Sequence, residues 1–231
     1  MEIRFLSWDS DFFGLRIGRV DILTQTGVAE LPKQHDELKQ RFDLLYVFDV
    51  NAVGFEAEGA QLVDEKILYS KPCEPRKQFC NISFYQGKTP SDDLYRLALV
   101  SGGYSRFKLD KRFPKGSYER LYNRWIENAC PKEGTNKQIL TFIDSHGVTK
   151  GMITIDYQGV LGHIGLVAVD TDVQHQGIGR KIMSTLDGYL FEHGVKTLEV
   201  PTQKANSDAC RWYEKNGFMV QSKIPIYHWW L

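Results

Sequence analysis

A glycine loop between a strand-like run and a helix-like run constrains the fold of this chain more than any other feature. The run Leu161–Val169 is β-rich, a short polar turn follows it, and Gly177 and Gly179 then open the next segment. In that segment aliphatic residues recur every four positions, which predicts a helix that ends near Gly194. The members of this stripe are Ile178, Ile182, Leu186 and Leu190.

This loop predicts an anion site. A helix N-terminus offers unpaired backbone N–H groups and a partial positive charge. Gly177 and Gly179 lack a β-carbon, so a bulky anion can approach the backbone closely. We expect a pyrophosphate here, with Arg180 or Lys181 adding positive charge.

Three other interpretations of the loop fit its sequence less well. A dinucleotide site needs G-x-G-x-x-G after a first strand and an acid about twenty residues later, and this loop has only G-x-G. A phosphate-binding Walker loop needs G-x-x-x-x-G-K-[ST], which the loop lacks. A helix that merely begins with two glycines would lose roughly 1 kcal/mol of helix propensity at each.

The sequence around the loop predicts a β-meander followed by a crossover unit. Lys137–Asp144, Thr149–Tyr157 and Leu161–Val169 are extended runs joined by short turns, which favours antiparallel pairing. After the helix, Val195–Val200 has the composition of a buried strand, and Asn206–Asn216 that of a short helix. Met219–Leu231 is expected to supply the last strands.

The first seventy residues predict a smaller α/β unit. Its candidate strands are Ile3–Ser7, Arg16–Leu23 and Leu44–Val50, its helix lies near Glu30–Phe42, and Gly54–Tyr69 is extended. Pro72 and Pro75 suit a linker, so we place a domain boundary near residue 72. The predicted domains are a small N-terminal unit of residues 1–72 and a second domain of residues 73–231.

A basic loop lies between two predicted helices, which Ser91 and Ser117 are expected to cap. The loop spans Ser101–Gly116 and has a single acidic residue, Asp110. Such runs are commonly solvated, but cations and aromatic rings together also suit a sugar or a polyanion. Its cations are Arg106, Lys108, Lys111, Arg112 and Lys115, and its aromatic residues are Tyr104, Phe107 and Phe113.

Two motifs in the second domain resemble the Gcn5-related N-acetyltransferase (GNAT) family. Gln174-x-x-Gly177-x-Gly179 is similar to the family's acyl-CoA loop, and Asn206-x-x-Ala209-x-x-x-Tyr213 is similar to its closing helix. The two motifs stand in the family's order and spacing. The resemblance implies an α/β fold of the GNAT type, with a mixed and largely antiparallel sheet, and acetyl-CoA as co-substrate without a metal.

The resemblance also implies roles for individual residues. The strand before the loop would bind the pantetheine arm, and an N–H near Ala168–Val169 would hold the thioester oxygen. Tyr213 lies two helical turns beyond Asn206, so both project from one face, and a phenol that is protonated at neutral pH suits a general acid. Asn206 could equally be an ordinary N-cap and Tyr213 a core aromatic. The expected acyl-CoA residues are Val167, Ala168, Val169, Gln174, His175, Gln176, Gly177, Ile178, Gly179, Arg180 and Asn206.

A narrower resemblance points to the acceptor. The segments Leu6–Gly14, Ser105–Phe107, Arg124–Ala129 and Val200–Asn206 resemble the bacterial dTDP-fucosamine acetyltransferases. This implies acetylation of the 4-amino group of a dTDP-4-amino-4,6-dideoxyhexose in surface polysaccharide synthesis. The expected acceptor residues are Tyr104, Ser105, Arg106, Phe107 and Trp125. His163 and Glu199 are candidates for a general base, and the sequence favours neither of them.

Net charge and cysteine spacing exclude several functional classes of protein. The chain has 29 basic and 29 acidic residues and a net charge of zero, which argues against a nucleic-acid or membrane-surface binder. Its four cysteines have no C-x-x-C spacing, and neither a signal peptide nor a long apolar run is evident. We therefore expect a soluble, cytoplasmic protein.

The sequence leaves two rival functions and the oligomeric state open. One rival is a GNAT enzyme that acetylates a protein N-terminus, a lysine or a small amine, which would need an acidic or peptide-shaped groove. The other is a module that binds CoA without catalysis. The aromatic run Tyr227–Trp230 could line the acceptor cleft or form a subunit contact, so a homodimer is one expectation.

Overall fold

The computed structural model describes residues 2–231, which form ten strands and eight α-helices. The strands are β1 (Ile3–Phe5), β2 (Ile17–Ile22), β3 (Leu44–Asp49), β4 (Ala60–Pro72), β5 (Ile82–Phe84), β6 (Lys137–Ile143), β7 (Thr149–Gln158), β8 (Leu161–Val169), β9 (Thr197–Gln203) and β10 (Met219–Trp230). The helices are α1 (Ser7–Phe13), α2 (Gln25–Glu30), α3 (His35–Arg41), α4 (Asp92–Ser101), α5 (Arg106–Leu109), α6 (Ser117–Ala129), α7 (Ile178–Glu192) and α8 (Ser207–Lys215).

The strands form one continuous mixed sheet in the order β1-β2-β3-β10-β4-β9-β8-β7-β6-β5. Only β2 with β3 and β8 with β9 are parallel, so the expected α/β fold with a largely antiparallel sheet is confirmed. The predicted meander is β6, β7 and β8, which pair antiparallel in sequence order. The helix α7 connects β8 to the parallel strand β9, as the crossover pattern predicts.

The C-terminal strand β10 lies between β3 and β4 and pairs antiparallel with both. One hydrophobic cluster likewise joins Phe13 and Tyr46 from the first part of the chain to Leu97 and Leu121 from the second. The boundary near residue 72 stays a prediction, and sheet and core both continue across that position.

Several local predictions differ from the structure. The predicted strand Ile3–Ser7 ends at Phe5, and Ser7 begins the short helix α1, which buries Phe13 in the core and for which no helix is predicted from the sequence. The predicted helix near Glu30–Phe42 is divided into α2, a 3-10 turn at 32–34 that begins with Pro32, and α3. Ser91 does cap α4, where its side chain accepts from the N–H of Leu94. Ser117 does not cap α6: the cap position is Gly116, in the left-handed region at φ 80°.

The aromatic run at the end of the chain does not line the large cleft, which was one of its two expected positions. It belongs to β10 inside the sheet, where His228 is fully buried and Trp229 is 1% exposed. The indole of Trp229 donates to the carbonyl of Glu58. The residue of this strand that faces the cleft is Ile226. Tyr227 and Trp230 are half-buried, and a homodimer with this run at its contact stays a prediction.

No helix within residues 2–231 is long and apolar enough to cross a membrane.

Candidate active site

One large cleft of about 1280 Å³ runs across the sheet. It brings together nearly every site residue that the sequence predicts, from both the acyl-CoA set and the acceptor set. The exception is Gln176, which is exposed and does not line the cleft. The predicted residues along it are Tyr104, Ser105, Arg106, Phe107, Trp125, Val167, Ala168, Val169, Gln174, His175, Gly177, Ile178, Gly179, Arg180, Asn206 and Tyr213.

The two parallel strands β8 and β9 separate inside this cleft. They pair only where Leu161–His163 lies beside Thr197–Glu199. Beyond that point the rest of β8 keeps β7 as its partner, while β9 continues along β4. The backbone N–H and C=O of Val167 and the N–H of Val169, which point away from β7, are therefore free to bind an extended ligand, whereas the C=O of Val169 already accepts from Gln174.

A β-bulge in β8 marks the start of this separation. The register with β7 shifts between Ile153, opposite Val167, and Ile155, opposite Ile164. The hydroxyl of Thr154 accepts from the N–H of Leu166 at 2.7 Å, so it satisfies a donor that the shifted register leaves unpaired. The bulge thus changes the direction of β8 just before Val167–Val169, the residues predicted to bind the thioester.

The loop that leads into α7 has the geometry of an anion cradle. Gly177 occupies the N-cap position at φ 77°, with no side-chain cap and no acidic residue in the first turn. The side chain of Gln174 donates to the carbonyl of Val169 at 2.9 Å, which fixes the loop against the end of β8. A β-carbon at Gly179 would lie 3.3 Å from the indole of Trp212, so this position is also packed tightly. The free N–H groups of α7 are available to phosphate oxygens.

Replacing Gly177 with alanine is expected to raise the KM for acetyl-CoA by about tenfold. The substitution places a β-carbon at φ 77° and re-aims the loop, at a cost of about 1–2 kcal/mol in stability. Gly194 at the other end of α7 has φ 80° and, like Gly177, no atom within 4 Å of a β-carbon. Gly194→Ala is therefore a matched control with the same strain. If both variants raise the KM equally, the loop has no specific role in binding acetyl-CoA.

The last helix presents Asn206 and Tyr213 to the cleft. Asn206 is the N-cap of α8, where its side-chain oxygen accepts from the N–H of Ala209 at 3.2 Å, and its amide N–H₂ is left for a ligand. Tyr213 is 4% exposed, and its ring packs against Phe218 and Tyr69. Burial raises the pKa of Tyr213, so the phenol keeps its proton at any physiological pH.

The part of the cleft around Arg106 contains the predicted acceptor residues Tyr104–Phe107 and Trp125, and we call it the acceptor half; the N-terminal strands form its floor. Asp64 on β4 stands in register with Ile226 on β10, which stands in register with Phe48 on β3. Lys66 on β4 faces Gln203 of β9, three residues before Asn206. These paired residues connect the acceptor half to the part of the cleft that contains the predicted acyl-CoA residues.

Charged side chains concentrate in this half. Arg19, Lys66 and Arg106 line it together with Asp9 and Asp64. Arg19 pairs with Asp21 at 2.8 Å, whereas in the described chain Lys66 and Arg106 have no acidic partner within 4.0 Å. Burial lowers the pKa of Lys66, and the charges of Arg19 and Arg106 lower it further. Three cations that repel one another are typical of a site that binds an anion.

The two carboxyl groups differ from ordinary surface acids. Burial raises the pKa of Asp64 to about 6, although the charge of Arg106 opposes that shift. Burial also raises the pKa of Asp9, again against Arg106. A carboxyl group that titrates near neutral pH can accept a proton from an amine, so Asp64 is a candidate general base.

Arg106 is held over aromatic rings. Its guanidinium carbon lies 4.3 Å from the ring centroid of Tyr46 and 4.7 Å from that of Phe107. Ser105 caps the short helix α5, where its hydroxyl accepts from the N–H of Phe107. Within the basic loop, only the segment Tyr104–Phe107 can take the predicted role in acceptor binding. The other cations of the loop do not line the cleft, and Phe113 is buried in the core.

Asp110 anchors this loop to the C-terminal strand. Its carboxylate accepts from Nδ1 of His228 at 2.7 Å, from Nε of Arg112 at 2.8 Å and from the indole of Trp230 at 3.0 Å. These donors hold the pKa of Asp110 below its usual range in spite of burial. Burial lowers the pKa of His228 to about 4, so its imidazole is neutral at pH 7. The one acid of the basic loop is thus an anchor.

Most of the acceptor-half residues that the sequence-based prediction missed come from the N-terminal part of the chain. They include Trp8, Asp9, Arg19, Phe48, Asp64 and Lys66. The available signal was the charged triplet Asp64–Lys66 in an otherwise β-like run, which is unusual for a strand that has neighbours on both sides. His163 and Glu199, considered for the base, lie 3.4 Å apart and neither lines this cleft.

Comparisons with known proteins agree with this geometry. The model of the acetyltransferase (GNAT) family matches residues 104–218. A dTDP-fucosamine acetyltransferase from Escherichia coli O6:H1 is 31% identical over 225 residues, which cover 96% of this chain and 95% of the relative.

Solved structures of low sequence identity share the fold. A conserved protein of unknown function from Staphylococcus epidermidis is 17% identical with a TM-score of 0.60, and the match covers 94% of this chain and 85% of that one. A GCN5-related N-acetyltransferase from Sphaerobacter thermophilus is 14% identical with a TM-score of 0.58, over 94% and 73% of the two chains. The chain belongs to the GNAT family and is an acyl-CoA-dependent N-acetyltransferase.

Proposed function

We propose that this enzyme transfers the acetyl group of acetyl-CoA to the amino group of a nucleotide-linked amino sugar, a dTDP-4-amino-4,6-dideoxyhexose. The observation that carries the proposal is the cation cluster of the acceptor half, in which Lys66 and Arg106 lack acidic partners within residues 2–231. A diphosphate supplies the missing negative charge. The name of the Escherichia coli relative supports the same class of acceptor. The product would belong to surface polysaccharide synthesis.

The proposed chemistry assigns one proton acceptor and one proton donor. The neutral amine attacks the thioester carbon, a C–N bond forms, and the free backbone N–H of Val169 stabilises the negative charge on the oxygen. The C–S bond then breaks, and Tyr213 donates a proton to the departing thiolate. The proton released by the nitrogen passes to the carboxylate of Asp64, directly or through one water.

The acceptor half fits the rival acceptors less well. A polyamine would meet three cations and only two carboxylates, one of which binds protons near neutral pH. A protein lysine or N-terminus carries no group that would neutralise Lys66 and Arg106. A CoA-binding module without catalysis would have no need for Tyr213 and Asp64 in the same cleft.

The test is a coupled thiol-release assay with acetyl-CoA against a panel of amines. The panel contains a dTDP-linked 4-amino-4,6-dideoxyhexose, the same sugar without nucleotide, spermidine and a lysine peptide. We expect the sugar without nucleotide to lose about 10²–10⁴-fold in kcat/KM, since two charge-assisted contacts contribute about 1.5–3 kcal/mol each. CoA release with peptides or spermidine alone would overturn the proposal.

A further inference from the structure

An exposed tryptophan lines the acceptor half of the cleft. Trp8 is 49% exposed, although a side chain of this size is commonly covered. One face of its indole is stacked on the ring of Phe12, with centroids 4.9 Å apart and planes inclined by 12°. Half of the indole surface therefore has no protein partner in a cleft that receives a substrate.

This indole is fixed in position. Trp8 and Phe12 are four residues apart on α1, so they lie on the same face of the helix. Phe12 meets the ring of Phe13 edge-on at 5.0 Å, and Phe13 is 3% exposed in the core. The ring of Phe13 in turn stacks on Phe107 of the acceptor loop at 5.3 Å. Because the indole is already held in place, little side-chain entropy is lost when a ligand binds to it.

The surrounding charge defines what such a surface can bind. Arg19, Lys66 and Arg106 line the same half of the cleft, and Asp9 follows Trp8 directly in the chain. A ligand that satisfies both features has a flat aromatic part and a polyanionic part. A nucleoside diphosphate has both, whereas an amino sugar without a nucleotide or a polyamine has neither.

We infer that Trp8, supported from behind by Phe12, is the platform on which the nucleobase of the acceptor stacks. This inference rests on the proposed function, because it assumes a nucleotide-linked acceptor. Stacking accepts any base, since every base has an aromatic face. The platform therefore contributes to affinity for the nucleotide and leaves the choice among bases largely open.

The experiment measures binding of dTDP, UDP and inorganic pyrophosphate by calorimetry to the wild type, Trp8→Phe and Trp8→Ala. We expect Trp8→Ala to weaken dTDP by about 5–150-fold, to weaken UDP by a similar factor and to leave pyrophosphate unchanged. Trp8→Phe should retain most of the affinity. Phe191, which is 47% exposed on α7 and does not line the cleft, supplies the control variant Phe191→Ala.

In steady-state assays Trp8→Ala should raise the KM for the nucleotide sugar and leave kcat unchanged. An equal loss of pyrophosphate and dTDP affinity would mean that Trp8 only supports the fold, and would overturn the inference. Unchanged dTDP affinity in Trp8→Ala would overturn it as well, with the proposed function still standing if the wild type acetylates the nucleotide sugar. A wild type that neither binds dTDP nor acetylates the nucleotide sugar would overturn the proposed function itself.

Discussion

Replacing Asp64 with asparagine is expected to lower kcat/KM for the amine acceptor by about 10²–10⁴-fold at pH 7. Asparagine keeps the size and polarity of the side chain but cannot accept a proton. The carboxylate of Asp64 lines the acceptor half, on the same strand as Lys66. The measurement is a steady-state assay of CoA release at several acceptor concentrations.

The pH dependence of this variant gives a second readout. The pKa of Asp64 is about 6 in the folded protein because burial disfavours its charged form. As the pH rises through that value the carboxylate forms, so the wild-type kcat/KM should rise with an apparent pKa of about 6. The pH profile of Asp64→Asn should lack the rise near pH 6 and keep only the rise that reflects deprotonation of the substrate amine.

Stability should change in the opposite direction from activity. The pKa of Asp64 is higher in the folded chain than in the unfolded chain, so ionisation of this carboxyl group destabilises the fold. The destabilisation begins as the pH rises above about 3.9 and is complete above the pKa of the folded state. Asp64→Asn should therefore increase the free energy of unfolding at pH 7 by about 1–3 kcal/mol. Glu65→Gln is the matched control, since Glu65 is the next residue of β4 and pairs with Lys204 at 2.8 Å. A joint loss of activity and stability in Asp64→Asn would contradict a role as base.

Replacing Tyr213 with phenylalanine is expected to lower kcat by about 10²–10⁴-fold with little change in the KM for acetyl-CoA. The variant removes the proton donor for the leaving thiolate and keeps the ring, which packs against Phe218. Thermal unfolding should therefore differ little from the wild type. Single-turnover measurement of CoA release would isolate the chemical step.

Tyr69 offers the control for this variant. Its ring centroid lies 5.7 Å from that of Tyr213, but it does not line the cleft and its hydroxyl donates to Glu214 at 2.9 Å. Tyr69→Phe should cost about 1 kcal/mol of stability and leave turnover unchanged. Full turnover in Tyr213→Phe would exclude Tyr213 as the general acid.

The acyl-CoA half of the cleft was predictable because its signals are local in the sequence. Gly177 has a positive φ that only glycine adopts easily, and a β-carbon at Gly179 would contact the indole of Trp212 tightly. Asn206 and Tyr213 lie on one helix, so their spacing alone places them on the same face. The positions of these residues along one cleft agree with that prediction, and their roles stay predictions.

The acceptor half was less predictable because it depends on strand pairing across the whole chain. Asp64 reaches the cleft only because β10 pairs with β4 in a register that sets Ile226 opposite Asp64. No local pattern encodes that pairing, which joins positions about 160 residues apart. The short helix α1, which carries Trp8, is likewise absent from the sequence-based prediction, in which only its first residue, Ser7, falls in a strand, because its seven residues have no side-chain cap and are too few to show a sustained helical pattern.

The most direct test of the account is a crystal structure with CoA and dTDP bound together. The account predicts pantetheine along Val167–Val169, the CoA pyrophosphate at Gly177–Gly179, and the dTDP diphosphate among Arg19, Lys66 and Arg106. A nucleotide bound outside the cleft, or CoA lying across Asp64 and Lys66, would contradict it.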